Sequence, residues 1–473
     1  MTQRVRGGLR LEANKTRSTR TPLRLASVPD ELFLALDQHE GAPAASLVNV
    51  GEQILMGQPV AQPHGDISAW MHSPVSGRVT AVEAESGRIV IANDGRDERY
   101  AGNSGVDYQS LSSAELCAHI DRGGIVGLGG ATFPTAAKLL SAGTNDGVHL
   151  ILNGAECEPW ISCDDMLMRE RAQDVVLGAR ILQRAINARR GTIAIEDDVP
   201  AAAAALRAAL TDSDSIDISV QRDIYPAGGE RQLILALTGQ EVPSDGLPVD
   251  IGIVVQNVGT AAAIARWFRD GEPLISRIVT ITGSGVKEPA NLEARLGTPI
   301  ASLIADCGGY VAEGHELIMG GSMMGAALTN DRLPVVKAMN CVIVATTADL
   351  QPRAEIMPCI RCGNCSEVCP ASLLPQQLHW HANAGDLDHL EGFGLMDCIE
   401  CGCCDYVCPS QIPLTQQFRD AKIPLRKKLQ AHSDALDARL RYEARGERLV
   451  RLEEEQRARL EEKRRQLTGR KPG

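Results

Sequence analysis

The sequence has few aromatic residues, no long apolar run and a surplus of acidic side chains. Aromatic residues make up 3% of the 473 residues, too few for a surface that stacks nucleic-acid bases. The formal net charge is −12, which disfavours nonspecific nucleic-acid binding. The sequence contains no apolar stretch of about 18 residues and no pattern typical of a secretory signal peptide. We therefore expect no nucleic-acid partner and no membrane-spanning helix, so a role at a membrane would require docking on other subunits.

Cysteine is concentrated near the C-terminus, where eight of the fourteen cysteines form two copies of one pattern. The first copy is Cys359, Cys362, Cys365 and Cys369, followed by Pro370, and the second is Cys398, Cys401, Cys404 and Cys408, followed by Pro409. This C-x2-C-x2-C-x3-C-P run is typical of bacterial ferredoxins with two [4Fe-4S] clusters, in which the fourth cysteine ligates the cluster of the other run. The pattern predicts one cluster bound by Cys359, Cys362, Cys365 and Cys408, and a second bound by Cys369, Cys398, Cys401 and Cys404.

Two other uses of these cysteines fit the spacing poorly. Structural zinc sites use four ligands, commonly two C-x2-C pairs, and disulfide frameworks are typical of small secreted chains. Cys403 does not have the spacing of a third ligand, so we interpret it as a neighbour of the cluster. The remaining five cysteines are scattered, as expected for reduced thiols of a cytosolic protein. The cysteine pattern therefore indicates one-electron transfer.

The length allows roughly two to four domains, and changes in composition divide the chain further. The predicted segments are a basic N-terminal arm (1–30), a β domain (31–100), an α/β nucleotide domain (101–274), a small α+β domain (275–350), a helical ferredoxin-type domain with two [4Fe-4S] clusters (351–420) and a charged helical tail (421–473). The arm is either a solvated tail or a docking arm. The tail is expected to be a solvated single helix, because clean heptads are lacking.

Short strands and turns are predicted for residues 31–100, with a closing hairpin at 85–88. The segment resembles the barrel-sandwich fold of biotinyl and lipoyl carriers. A carrier needs an exposed lysine to take the cofactor, and this segment contains no lysine. We therefore expect the lipoyl-like fold without the carrier function.

Strands and helices alternate in the next segment. A helix is predicted over 169–190, with Val175, Ala179, Leu182 and Ile186 on one face. Such alternation argues for a mostly parallel sheet covered by helices, so the fold class is α/β and multidomain. The predicted strands are 148–153, 192–196, 216–220 and 251–256.

A glycine-rich stretch over 122–135 contains Gly127, Gly129 and Gly130. Pro134 fits the first turn of a helix that runs through Lys138. Free N–H groups at such a helix start form a phosphate site. A plain loop is the alternative, because Thr132 stands where a dinucleotide fingerprint has its third glycine.

Polar side chains follow the predicted strands at the edge where open α/β sheets bind ligands. Asn153, Glu156 and Glu158 follow one strand, and Gln256 and Asn257 end another. Carboxylates there suit donors such as ribose hydroxyls and a carboxamide group. A solvated acidic loop and a helix N-cap at Asn257 are the alternatives. Glu230 opens a further helix, where it either binds nucleotide or compensates the helix dipole.

These segments together resemble the flavin- and NADH-binding subunit of respiratory complex I. The matching stretches are Gly129–Thr135, Asn153–Pro159, Gly228–Glu230 and Gln256–Asn257. The chain more closely resembles the C subunit of the Rnf ion-translocating electron-transport complex, through Gly7-Gly8, Glu12–Lys15, His39–Pro43, the lysine-free segment and the double ferredoxin run. The segment after Ser276 resembles that family's soluble-ligand-binding β-grasp domain.

The resemblance implies an FMN and NADH site and names its residues. FMN would contact Gly127, Gly129, Gly130, Lys138, Asn153, Glu156, Gln256 and Asn257, and NADH would be held by Phe133, Glu158 and Glu230. Two positions depart from the complex I pattern, since Ala155 and Gly229 stand where that family has carboxylates. No catalytic acid or base is required, because a flavin converts two-electron into one-electron transfer.

The resemblance also implies a location and partners. The chain would be a peripheral electron-input subunit on the cytoplasmic side of the cell inner membrane. It would couple electron transfer between NADH and ferredoxin-like carriers to ion translocation, together with subunits A, B, D, E and G. The direction of electron flow, the final electron partner and the choice of H⁺ or Na⁺ stay open. Two alternatives are a soluble NADH-dependent reductase, such as a cobalamin reductase, and a non-enzymatic electron-transfer subunit without a nucleotide site.

Overall fold

A computed structural model describes residues 6–83, 87–142, 147–311, 315–350 and 355–468. The chain divides into two units, and each is described by itself. Unit 1 comprises Met1–Ser372 and Cys401–Ile412, and unit 2 comprises Leu373–Glu400 and Pro413–Gly473.

The described part of the N-terminal arm packs against the rest of unit 1 and is not a solvated tail. Leu9 and Tyr225 exchange two backbone hydrogen bonds of 2.7 and 2.9 Å, and the Trp160 amide donates to the Ala13 carbonyl at 2.8 Å. Lys15 lies in a short 3-10 turn, Lys15–Arg17, and is buried. Strand β1 (Arg24–Leu25) then joins the sheet of a later domain. The arm therefore docks on its own chain.

Two small sheets form the β domain that follows, in the orders β2-β8-β7-β4 and β3-β5-β6. Leu32 and Leu34 of β2 alternate with more exposed neighbours and are fully buried, as expected for a strand with one face on a core. The predicted hairpin at 85–88 lies partly outside the described residues, and the flanking strands β7 and β8 pair antiparallel. The strands are β2 Glu31–Ala35, β3 Ala45–Ser46, β4 Gln53–Ile54, β5 Pro59–Gln62, β6 Met71–His72, β7 Gly77–Glu83 and β8 Arg88–Asn93.

A four-stranded parallel sheet, ordered β11-β10-β9-β12, is the centre of the α/β domain. The strands are β9 His149–Gly154, β10 Arg190–Glu196, β11 Ile216–Gln221 and β12 Ile253–Asn257. The helices are α1 Ser113–Arg122, α2 Thr135–Ser141, α3 Cys163–Glu170, α4 Ala172–Ala185, α5 Pro200–Ala209, α6 Glu230–Thr238 and α7 Val258–Asp270, with 3-10 turns at Tyr108–Ser110 and Pro248–Ile251.

The helix predicted over 169–190 is wrong at both ends. The chain breaks at Arg171, with φ −130° and ψ 35°, so α3 ends there and α4 begins. At the other end α4 stops at Ala185, and β10 has begun by Arg190. The predicted apolar face is nevertheless buried, including Ile186 just beyond the helix. The periodicity identified the buried face but not the break.

A six-stranded sheet, ordered β1-β14-β13-β17-β15-β16, forms the next domain. Its inner strand β13 pairs antiparallel with β14 and parallel with β17. Because β1 comes from the N-terminal arm, this sheet is completed from the far end of the sequence. Its elements are β13 Ser276–Thr282, β14 Ala290–Arg295, α8 Ile300–Asp306, β15 Glu316–Met319, β16 Ala326–Leu328 and β17 Cys341–Ala345.

Each cysteine run contains one short helix. These two helices are α9 Asn364–Glu367 and α12 Cys403–Tyr406, which belong to unit 1 and contact each other. The helices of unit 2 lie between the runs and after them: α10 Pro375–Ala384, α11 Leu387–Gly392, the 3-10 turn Leu395–Asp397 and the long helix α13 Leu414–Thr468. The helix α13 starts before the predicted tail and continues through Pro424. Among the described residues, no helix is both long enough and apolar enough to cross a membrane.

Candidate functional site

The carboxyl ends of β9 and β12 bring two predicted site residues together. Asn153 and Asn257 are register partners on these neighbouring parallel strands. Asn257 caps α7 by accepting from the Gly259 amide, and its Nδ2 donates to Asp164 Oδ2 at 2.6 Å. Asn153 Nδ2 donates to the Gly228 carbonyl at 2.8 Å. The two amide side chains thus connect this sheet edge to helix α3 and to the loop before α6, and Asn257 fulfils the N-cap alternative.

The glycine-rich loop lies on the start of α7, beside Asn257. The Leu128 amide donates to Thr260 Oγ1 at 2.9 Å, and the Gly127 amide closes the loop on the Phe133 carbonyl at 2.9 Å. A Cβ on Gly129 would lie 3.4 Å from the Asn257 Cβ. Gly130 has φ +114° and faces open space within 4 Å, so this side of the loop is accessible. The loop therefore presents backbone to the sheet edge.

Lys138 and Glu230 form an ion pair at the same edge. Their Nζ and Oε1 atoms are 2.5 Å apart, and both side chains are partly exposed. Lys138 belongs to α2, and Glu230 is the first residue of α6. The two helices thus bring opposite charges together next to the glycine loop. Lys138 and Glu230 each partly neutralise the charge of the other.

Glu156 is buried beneath the edge and does not lie in a solvated acidic loop. Its carboxylate accepts the Asp164 amide at 3.0 Å and the Asp165 amide at 3.3 Å. Burial first, and then the Asp164 charge, raises the pKa of Glu156 to about 7. Lys15 of the arm donates to the Glu156 carbonyl at 2.5 Å. The N-terminal arm therefore supports this loop from below.

Glu158 points away from the edge, toward a loop of the six-stranded sheet. Its Oε1 accepts the amides of Met323 and Met324 at 2.7 and 3.0 Å, and its side chain packs directly on Gly321. Burial raises the pKa of Glu158. The predicted role of Glu158 in NADH binding stays a prediction, and it requires that this carboxylate leave the loop around Gly321.

Tyr225 connects the sheet edge to a cysteine run, although the sequence pattern assigns it no role. Its side chain is 2% exposed, and its hydroxyl donates to the Cys401 carbonyl at 2.6 Å. Burial, followed by the Glu158 charge, raises the pKa of Tyr225. Tyr225 therefore lies between a predicted nucleotide residue and a predicted cluster ligand. No local pattern could have indicated this contact, because Tyr225 and Cys401 are 176 residues apart.

Two buried polar atoms without hydrogen-bond partners among the described residues show that the sheet edge suits a flavin. Gln256 is 4% exposed, and its Nε2 has no hydrogen-bond partner among the described residues. Thr135, at the start of α2, is also buried with its Oγ1 unpaired in that part of the chain. Buried polar groups normally find partners. An amide donor near the end of β12 and a hydroxyl at the start of α2 fit the oxygen- and nitrogen-rich ring and phosphate of FMN.

The two cysteine runs have the same backbone conformation, with each position of the second lying 39 residues after its counterpart. Positive φ values occur at Arg361, Gly363 and Ser372 in the first run (60°, 85° and 54°) and at Glu400, Gly402 and Gln411 in the second (56°, 76° and 52°). Positive φ is uncommon for residues other than glycine, so its recurrence indicates loops wound around similar ligands. Soft thiolates are the donors that iron–sulfur clusters take.

Two hydrogen bonds place the start of the first run beside the end of the second. The Met357 amide donates to the Ser410 carbonyl at 2.9 Å, and Ser410 Oγ donates to the Pro358 carbonyl at 3.0 Å. These contacts lie next to Cys359 and Cys408 in sequence. Cys362 and Cys365 belong to the same unit as this pair.

The second cluster's predicted ligands are found in both units. In unit 1, Cys401 and Cys404 are buried around Cys403, and Cys369 is near enough to act on the Cys403 charge. A hydrogen bond to Cys401, followed by burial, raises the pKa of the Cys403 thiol, so Cys403 contacts a predicted ligand. In unit 2, the carbonyl of Cys398 accepts from Lys422 Nζ at 2.5 Å.

Comparison with known proteins gives four matches to family models. Residues 3–95 match the RnfC barrel sandwich hybrid domain, and residues 120–266 match the Nuo51 FMN-binding domain. Residues 278–327 match the SLBB domain, and residues 358–412 match the 4Fe-4S dicluster domain. The matches confirm the α/β multidomain fold and define an electron-transfer protein with FMN and two [4Fe-4S] clusters as cofactors.

Similar proteins from several bacteria are named as the C subunit of an ion-translocating oxidoreductase complex. The Pseudomonas aeruginosa protein is 47% identical over 95% of this chain, and the Citrobacter koseri protein is 42% identical over 96%. The chain belongs to this family of C subunits. It spans 59% and 65% of the length of these two relatives.

The comparison with solved structures gives weaker similarity. An NAD⁺-reducing [NiFe]-hydrogenase in the air-oxidised state gives a TM-score of 0.46 and 19% identity, with 66% of each chain covered. At that level, neither the ligands nor the activity of the hydrogenase transfer to this chain.

Proposed function

We propose that the chain is the electron-input subunit of an ion-translocating oxidoreductase complex and that it exchanges electrons between NADH and the two clusters. The observation that carries the proposal is the contact of Tyr225 with Cys401 in unit 1. The buried side chain of Tyr225 thus connects the predicted flavin edge to a predicted cluster ligand. FMN, when bound, supplies the conversion between hydride and single-electron transfer.

In this proposal, the residues of the chain bind and orient FMN and NADH. The glycine loop and Asn257 would take FMN, with Gln256 offering its unpaired amide to the ring. Lys138 would contribute a positive charge for the phosphate, partly neutralised by Glu230. Phe133 and Glu230 are partly exposed and would contact NADH. Glu158 would join them only after leaving the amides of Met323 and Met324.

The cluster assignment is supported by the contacts between the runs. Cys359, Cys362, Cys365 and Cys408 would bind the first cluster, and Cys369, Cys398, Cys401 and Cys404 the second. The hydrogen bonds beside Cys359 and Cys408 favour the crossed arrangement, because the fourth ligand must lie within bonding reach of the cluster that the first three cysteines bind.

The names of the relatives favour a place in a membrane complex. The chain would be peripheral, on the cytoplasmic side of the cell inner membrane, and would dock on the Rnf-type subunits A, B, D, E and G. Ferredoxin-like carriers are the proposed partners for its one-electron limb. The alternative of a soluble cobalamin-type reductase shares the same cofactors but needs no membrane partners.

One experiment separates these functions. The chain is purified anaerobically, its flavin and iron are measured, and NADH-dependent reduction of a dye is followed. We expect FMN and about eight irons per chain, the content of two four-iron clusters, together with NADH oxidation. Gly129→Val should abolish FMN retention because its side chain would occupy the space beside Asn257 that the proposal gives to FMN, whereas Gly446→Val, at an exposed position with no neighbour within 4 Å, should not.

Other outcomes decide between the alternatives. Chain that contains iron but neither flavin nor NADH activity would establish the non-enzymatic electron-transfer subunit. Activity without co-purification of membrane subunits from the native host would favour the soluble reductase.

A further inference from the structure

Two histidines and an aspartate in unit 2 converge on one point outside the redox site. His381 lies on α10, Asp386 precedes α11, and His389 lies on α11. Their ligand atoms are all within 4.8 Å of one another. His389 Nδ1 is 2.6 Å from Asp386 Oδ2, and His381 Nδ1 is 3.4 Å from the same oxygen.

The turn between the two helices brings these three side chains together. Gly385 ends α10 with φ +68°, which reverses the chain so that α11 returns beside α10. Asp386 Oδ1 accepts the His389 amide at 3.2 Å, leaving Oδ2 for the two imidazoles. The His381 ring lies between two others, parallel to His389 with centroids 4.5 Å apart and stacked on Phe393 at 5.4 Å. An imidazole nitrogen binds a metal in the plane of its ring, and these two rings lie parallel, so the exposed His389 ring must turn before both nitrogens point at one ion.

The spacing suits a tetrahedral metal ion. With metal–ligand bonds of about 2.0 Å, neighbouring ligands of a tetrahedral zinc site are about 3.3 Å apart. The 3.4 Å separation of His381 and Asp386 already matches this. The 2.6 Å contact of His389 must widen by about 0.7 Å to reach that spacing, which the 62% exposed His389 side chain allows. That exposure also leaves room for water as a fourth ligand.

We propose that His381, Asp386 and His389 form a zinc site, with two imidazole nitrogens, one carboxylate oxygen and water as ligands. Two imidazoles favour zinc or a similar transition metal over calcium and magnesium, which prefer oxygen ligands. The bound ion would tie α10 to α11, the two helices between the cysteine runs. The proposal is independent of the proposed electron-transfer function, since none of the three residues belongs to the flavin edge or the cysteine runs.

The test uses the full chain with its clusters loaded, because empty cysteine runs would also bind zinc. Zinc chloride is titrated in competition with a zinc-chelating dye, and zinc and iron are counted by mass spectrometry. We expect one additional zinc per chain. His381→Gln, which keeps a side chain beside Phe393, and His389→Ala should each weaken binding at least tenfold, since losing even an outer-sphere partner costs about 10–100-fold.

Matched variants nearby should leave the affinity unchanged. His379→Ala removes an imidazole of α10 that bonds Gln417 instead, and Asp388→Asn removes a carboxylate of α11 that pairs with Lys428. Unchanged iron content in every variant shows that the chain still folds.

Zinc K-edge absorption identifies the ligands without interference from iron. Nitrogen and oxygen scatterers with an imidazole signature support the site. Sulfur scatterers, an affinity unaltered in both His381→Gln and His389→Ala, or no zinc uptake at micromolar concentration would each overturn it.

Discussion

Gly178→Ala tests how tightly the helices behind the flavin edge are packed. A Cβ on Gly178 of α4 would lie 2.8 Å from the Ala261 Cα of α7, and closer still to the Ala261 carbonyl group. Because carbon atoms pack at about 3.5–4.0 Å, the helices must separate by about 1 Å. The obstacle is backbone, so no side-chain rotation can relieve it. Asn257, which caps α7 at the flavin edge, would move with that helix.

The cost follows from two opposing effects. Overpacking a buried contact costs about 1–3 kcal/mol, with larger values on occasion, and we expect the upper part of this range or above. Replacing glycine by alanine within a helix returns about 1 kcal/mol. The net loss of about 1–3 kcal/mol corresponds to roughly 2–12 °C in the melting temperature of a domain of about 150–250 residues.

Differential scanning calorimetry and FMN retention measure the effect, with Gly446→Ala as the control. Gly446 is also inside a helix, α13, but a Cβ there would meet nothing within 4 Å, so this variant should be neutral or slightly stabilised. A Gly178→Ala protein that melts at or above the wild-type temperature and retains FMN would refute the packing argument.

Three further predictions concern the cofactor sites. Cys408→Ser should remove the cluster of the first run, and Cys369→Ser should remove the cluster of the second. EPR of the reduced chain would show which cluster is lost. If each substitution removes the cluster of its own run, the crossed assignment is wrong. Tyr225→Phe leaves the buried Cys401 carbonyl without its donor, so it should lower the free energy of unfolding by about 1–3 kcal/mol. It should also make the potential of the second cluster more negative in a redox titration. An unchanged potential would count against the contact. Because burial raises the pKa of Glu156 to about 7 in the folded chain, its contribution to stability is present below its ordinary pKa near 4.5 and is lost as the pH rises toward and through 7. Glu156→Gln should therefore flatten the melting temperature between pH 5 and 8, whereas the exposed Glu447→Gln should keep the wild-type slope.

Local spacing predicted the features whose chemistry is itself local. Three ligands of a cluster fit within seven residues, so the pattern from Cys359 to Cys365 is readable without a structure. The alternation of apolar strands and helices likewise predicted the parallel sheet, because hydrophobic periodicity reflects which face of each element is buried. The strand ends then indicated where Asn153 and Asn257 would meet.

Tertiary packing decided what the same residues contact. The break at Arg171, which the apolar periodicity did not indicate, lies where that side chain pairs with Glu293 of the distant strand β14. Glu158, predicted for nucleotide, bonds amides more than 160 residues away, since burial of a carboxylate demands donors wherever the fold supplies them.

The sequence by itself determined the cofactor class, because cluster ligands and the glycine loop are encoded in short segments. Only the tertiary structure decided how the parts are joined. Lys15 of the arm reaches the Glu156 carbonyl, and Tyr225 reaches Cys401. Such contacts depend on surfaces that are complementary only after folding, so no spacing along the chain records them.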